Sequence, residues 1–196
     1  MKRIKDLKST IQEMRRYGFD YPASIEIKIP DAKTYLGETM KYFVNEEERK
    51  TFVWLDEYDA VAEWLSDNEG KGLCLYGING NGKTILIQRV IPILIFRFYN
   101  KIVRCYNSNE INSDEEILKK RLLSIDDVGV EEQAVWYGNK RWIFPEVIDL
   151  AEKNKNMVIF SSNLDGKGFI EKYGVRTFER IVSTTKRIEF KHKSFR

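Results

Sequence analysis

The sequence predicts an α/β fold: a parallel sheet covered by helices on both faces. Three observations lead there. From Thr51 onward, short apolar runs alternate with segments of helical spacing. A glycine-rich loop, Gly77-Ile78-Asn79-Gly80-Asn81-Gly82-Lys83-Thr84, directly follows the first of those runs. Asp126 and Asn163 directly follow two later runs, at the carboxyl ends where sites in such folds lie.

The elements follow in order. Ile4, Leu7, Ile11 and Met14 recur at helical spacing, so the chain between Lys5 and Tyr17 reads as an amphipathic helix. Tyr21-Pro22 and Ile29-Pro30 break the chain, and Asn45 with Glu48 three residues on reads as the start of a further helix. Residues 1–50 thus read as a helical or irregular extension, and 51–196 as the main domain. Leu55, Tyr58, Val61, Ala62 and Leu65 mark a helix, and Gly72 to Tyr76 a strand that runs into the loop. Thr84 to Tyr99 reads as a long apolar helix, bent at Pro92. Further strands are expected at Ile102–Tyr106, Leu122–Ile125, Met157–Phe160 and Lys186–Phe190. Further helices are expected at Ser113–Lys120, Lys140–Lys153, Gly168–Tyr173 and Arg176–Val182.

Bulk composition narrows the class. Of 196 residues, 42% are hydrophobic and 32% charged, an ordinary soluble composition for one domain. The net charge of +3 is too mild to argue for nucleic acid by itself. Cys74 and Cys105 each lie in an apolar run and read as buried free thiols of a reducing compartment, with no spacing that suits a zinc site. The most apolar stretch, Ile85 to Phe98, carries Gln88, Arg89 and Arg97, which argues against a membrane span. The expected location is cytoplasmic.

The loop fits G-x-x-x-x-G-K-[ST] throughout, a match expected by chance in about one chain of this length in a hundred. Its glycines let backbone N–H groups turn inward, and with the next helix start they make an anion cradle. Lys83 reaches the outer phosphates of ATP, and Thr84 supplies a hydroxyl to magnesium. Asp126 then joins the magnesium shell, and Asp127 orients and activates the attacking water. Asn163 holds that water or the γ-phosphate without adding negative charge; the plainer alternative is a turn-capping asparagine. Arg176 and Arg180 share one helical face. One of them, Arg180 ahead of Arg176, is expected to reach a neighbour's γ-phosphate, which implies a homo-oligomer.

Taken together, Gly77–Thr84, Leu123-Ser-Ile-Asp-Asp-Val-Gly129, Ile159-Phe-Ser-Ser-Asn163 and Arg176-x-x-x-Arg180 resemble the AAA+ ATPases. Within them the set is most similar to replicative helicase loaders of the DnaC/DnaI type and to the related IstB transposition helpers. The resemblance covers about residues 50 to 196. It implies a five-stranded sheet of order 5-1-4-3-2, ATP hydrolysis, and action on a replicative helicase and single-stranded DNA. It also implies Asp127 as the catalytic acidic residue, Asn163 as sensor 1, Arg180 as the box VII finger and Arg196 as a sensor 2 equivalent. The Tyr137-Gly138 pair resembles a further family feature. No cysteine-bound zinc module stands in the first fifty residues and no lid domain is expected after Phe190.

Other readings stay open. A transposition helper shares this core, and a non-catalytic ATP-gated binding module would bind without turnover. Phe52 to Leu55 either flank adenine or pack the core, as Trp54, Tyr58 and Trp64 are expected to do. Trp136 and Trp142 either stack a base or pack inside. Lys2, Arg3, Lys5 and Lys8, with Lys186, Arg187, Lys191 and Lys193, either contact DNA phosphates or form solvated faces. His192 reads as a surface residue.

Overall fold

The computed structural model describes residues 6–19, 22–47, 49–77, 80, 82–136 and 139–191. Five strands form one parallel sheet: β1 (Gly72–Gly77), β2 (Arg104–Asn107), β3 (Leu122–Val128), β6 (Met157–Ser162) and β7 (Thr185–Phe190). They stand side by side as β2-β3-β6-β1-β7; counted along the chain, that is the order 5-1-4-3-2. All four pairings are parallel. Parallel neighbours need crossovers, and here helices supply most of them, on both faces.

Alternation along the central strands splits the core in two. Leu73, Leu75, Met157 and Ile159 face one layer, with α2 (Ala32–Lys41), α3 (Asp56–Ser66) and α5 (Ile91–Tyr99). Cys74, Val158 and Phe160 face the other, with α6 (Ile143–Asn154), α7 (Gly166–Tyr173) and α8 (Val175–Thr184). Each large apolar side chain fully buried there contributes about 1.5–3 kcal/mol.

The helix after the glycine loop has three parts. It opens as α4 (Lys83–Ile85), widens into a π turn over Leu86–Val90 and continues as α5. The π turn has a local cause. The Ile91 N–H donates to the Leu86 carbonyl, so the Ile87 carbonyl is left facing Pro92, which has no N–H. The buried Ser124 hydroxyl of β3 donates to that carbonyl instead, at 2.6 Å.

Several elements differ from expectation. α2 was not anticipated, although Ala32, Leu36 and Met40, each four apart, are its buried row. Ile25, Ile27 and Ile29 are buried in the same layer as α2 and α3. The Asn68 side chain clips this extended segment through the Ile27 N–H (2.8 Å) and the Ile25 carbonyl (3.0 Å). Asn45 lies inside a π turn, Tyr42–Glu47, and accepts from the Phe52 N–H (2.8 Å) rather than opening a helix. The charged helix at Ser113–Lys120 is a 3-10 turn, Glu115–Lys119, capped by Asp114. The helix expected from Lys140 begins at Ile143, because an antiparallel pair, β4 (Ala134–Trp136) and β5 (Asn139–Arg141), occupies its start. Cys74 is buried as expected, whereas Cys105 is exposed, since β2 is an edge strand. α1 (Leu7–Arg16) is helical, capped by Asp6, but buries none of its residues. Among the described residues, no helix is long and apolar enough to cross a membrane.

Candidate functional site

The glycine loop leaves the carboxyl end of β1 at Gly77, whose φ of +117° suits glycine alone; a Cβ there would lie 2.4 Å from the Phe190 carbonyl oxygen. Gly82 has φ +83° and caps α4, and a Cβ on it would meet the Tyr58 hydroxyl at 2.8 Å. Tyr58 is thus a wall of the loop as well as a core residue. Burial, with the Glu57 charge beside it, pushes its phenol up to about 12. Phe52 stacks parallel to Tyr58, with ring centroids 6.0 Å apart, and Trp54 meets both edge-on. Gly80 is also left-handed. Ile78, Asn79 and Asn81 of the loop lie outside the described residues, as do Tyr137, Gly138, His192, Lys193 and Arg196.

Lys83 starts α4 and is buried; its ammonium donates to the Gly77 carbonyl at 2.9 Å. Burial lowers its pKa, and the charges of Asp127 and Asp126 act in the opposite direction. Thr84, the next residue, is exposed on the first turn. Lys83, Asp126 and Asp127 therefore sit in one electrostatic neighbourhood, at the end of β1 and of β3.

β3 ends in a parallel-sheet bulge. Ile125 pairs with Phe160 and Val128 with Ser162, so Asp126 and Asp127 together oppose Ser161. Ser161 is the pivot: its hydroxyl donates to the Asp126 carboxylate and accepts from the Asp127 N–H (2.9 Å). Asp127 adopts φ +57°, a left-handed conformation that a short polar side chain tolerates, and the extra residue turns its carboxylate out of the sheet. Asp126 stays buried while Asp127 is half-buried. Burial first, and then Asp126, raise the Asp127 pKa, against the pull of Lys83.

The next strand end completes the cluster. The Asn163 amide donates to Asp127 at 2.9 Å, and the Ser162 hydroxyl donates to the Val128 carbonyl at 2.5 Å. Three consecutive residues of β6 and its exit thus grip three consecutive residues of β3. The roles of Ser161 and Ser162 were missed from sequence, though two hydroxyls closing an otherwise apolar strand are the signal that marks them.

The two arginines part company. Arg180, with a side chain 19% exposed, pairs with Asp149 and with Glu152 (2.9 Å), both on α6 of its own chain. Arg176, one turn earlier, is exposed and makes no ion pair with any described residue. Trp142 packs edge-on against Tyr173, and the Trp136 side chain lies outside the described residues. Lys186 and Arg187 are exposed on the edge strand β7, with Arg187 over the Phe178 ring.

No protein-family model and no curated relative matches the sequence. Solved structures do match the fold. A crystal structure of DnaI is 24% identical, with a TM-score of 0.51 over 64% of this chain and 73% of its own. A DnaC helicase loader is 16% identical, with a TM-score of 0.54 over 84% of this chain and 93% of its own. AMPPCP-bound DnaA from Aquifex aeolicus is 17% identical, with a TM-score of 0.52 over 73% of this chain and 50% of its own. The fold of this chain is a five-stranded parallel α/β sheet similar to that of the solved DnaI, DnaC and DnaA structures.

Proposed function

We propose that the chain binds and hydrolyses ATP with magnesium in DNA replication, as a cytoplasmic helicase-loader-like factor acting on a replicative helicase and single-stranded DNA. The observation that carries this reading is the convergence of Lys83, Asp126, Asp127 and Asn163 at the carboxyl ends of the adjacent strands β1, β6 and β3. The residues fit the ligand. A buried ammonium beside a left-handed glycine turn and a helix start suits phosphate. Asp126 and the Thr84 hydroxyl are hard oxygen donors that would hold magnesium, which neutralises charge on the phosphates when bound.

Asp127 is the group positioned to take a proton from water. Its raised pKa makes it a better base than an exposed aspartate. Asn163 holds one Asp127 oxygen and so fixes the direction of the carboxylate. Arg176 is free to reach a second copy of the chain, while Arg180 braces α8 on α6. The likeness in fold to a DnaC helicase loader supports the partner class.

The test is ATP turnover by the full chain, with and without single-stranded DNA. Turnover that rises with DNA supports the reading. Binding of ATP with no hydrolysis under any DNA or helicase condition removes the enzyme from it.

A further inference from the structure

Below the bulge lies a second polar cluster that the nucleotide site does not use. Glu131 is 2% exposed, a carboxylate in the interior. One of its oxygens accepts from the Gly129 N–H at 2.7 Å; the other accepts from the Tyr173 hydroxyl. Lys172 donates to the Gly129 carbonyl (2.7 Å) and to the Glu131 carbonyl (2.9 Å), with its ammonium 4.6 Å from the centre of the Trp142 ring. Burial and the Glu131 charge raise the Tyr173 phenol.

The cluster joins two parts of the chain. Gly129 is two residues past Asp127, directly after β3. Lys172 and Tyr173 are the last residues of α7, and α8 with Arg176 begins two residues later, after Gly174 at φ +87°. An apolar side chain of similar volume would fill this interior at no greater cost than a buried carboxylate. What the carboxylate adds is direction: it fixes the Gly129 peptide and the end of α7 to the same two oxygens.

We propose that Glu131 and Tyr173 are positioning residues that couple the Asp126–Asp127 bulge to α7 and α8, so that occupancy of the nucleotide site changes the setting of the helix that carries Arg176. This regulation rests on the nucleotide reading above. Its physical content is a pair of hydrogen bonds on the Glu131 carboxylate, from the Gly129 N–H and the Tyr173 hydroxyl, joined through the backbone to Asp127 on one side and to α8 on the other.

Amide hydrogen exchange on the full chain, with and without AMPPCP and magnesium, tests it. In the wild type, AMPPCP is expected to slow exchange across residues 128–131 and also across 166–184. Tyr173→Phe keeps the ring and removes the hydroxyl. It is expected to bind AMPPCP within about threefold of wild type, to keep the change at 128–131 and to lose that at 166–184. Glu131→Gln, of the same shape, is expected to behave likewise and serves if the first variant does not fold. An undiminished change at 166–184 in either folded variant overturns the coupling, as does its absence in a wild type that binds AMPPCP. A wild type that does not bind AMPPCP overturns the nucleotide reading itself and the coupling with it.

Discussion

The Asn163 side-chain amide donates to the Asp127 carboxylate at 2.9 Å, across the ends of two neighbouring strands. Asp127 meets it from a left-handed backbone position inside a bulge. Asp127→Asn keeps a residue that tolerates this conformation, whereas alanine there would add strain of about 1–2 kcal/mol. Asp127→Asn is expected to bind ATP normally and to lose turnover by about 10²–10⁴-fold. Asn163→Ala is expected to lose about tenfold. Steady-state turnover beside a nucleotide titration checks both.

Lys83 carries a buried ammonium whose pKa lies below its ordinary value of 10.5, with burial outweighing the pull of Asp127 and Asp126. The unfolded chain therefore binds this proton more tightly than the folded one. Between the lowered value and 10.5 the unfolded state carries more protons, so the contribution of Lys83 to stability rises with pH in that window. Urea unfolding over that range is expected to show the rise in wild type and to lose it in Lys83→Met. The same variant is expected to bind ATP about 100-fold more weakly. An identical pH slope in both proteins would contradict the assignment.

Arg180 and Arg176 are expected to separate stability from turnover. Arg180→Ala removes the partner of Asp149 and Glu152 and is expected to lower unfolding free energy by about 1–3 kcal/mol. Arg176→Ala, at an exposed position, is expected to change it by less than about 0.5 kcal/mol. If Arg176 completes a neighbour's site, its variant alone loses the rise of turnover with protein concentration while keeping its melting behaviour. Denaturant unfolding and a concentration series read the two effects apart.

Ser124 links the helix after the glycine loop to β3. Ser124→Ala leaves the Ile87 carbonyl, in the interior and opposite Pro92, without its donor. The expected cost is about 1–3 kcal/mol of unfolding free energy, measured by equilibrium denaturation. A cost below about 0.5 kcal/mol would mean that another donor takes the carbonyl.

The central strands β1, β3 and β6 were readable from the chain because each is a short, mostly apolar run; the edge strands β2 and β7 are more polar and were placed by their spacing along the chain. The positions of Asp126, Asp127 and Asn163 were readable because they end or directly follow the apolar runs, and that of Lys83 because it closes the glycine loop after β1. What stayed hidden depends on pairing between distant segments. The bulge at Asp126–Asp127 exists only in the register that sets it against Ser161. The backbone of Ile25 and Ile27 is held by the Asn68 side chain, some forty residues later. The three-residue strands β4 and β5 are too short to show a period. Arg180 looked like its neighbour Arg176 until α6 brought Asp149 and Glu152 beside it.

The central claim is that one site at the ends of β1, β3 and β6 binds ATP and hydrolyses it through Asp127. The direct measurement is ATP turnover by wild type and Asp127→Asn at matched nucleotide occupancy, with magnesium and single-stranded DNA present. The account predicts hydrolysis by wild type and a loss of about 10²–10⁴-fold in the variant, with both binding ATP equally. Equal turnover in the two proteins, or a wild type that binds no ATP, would contradict it.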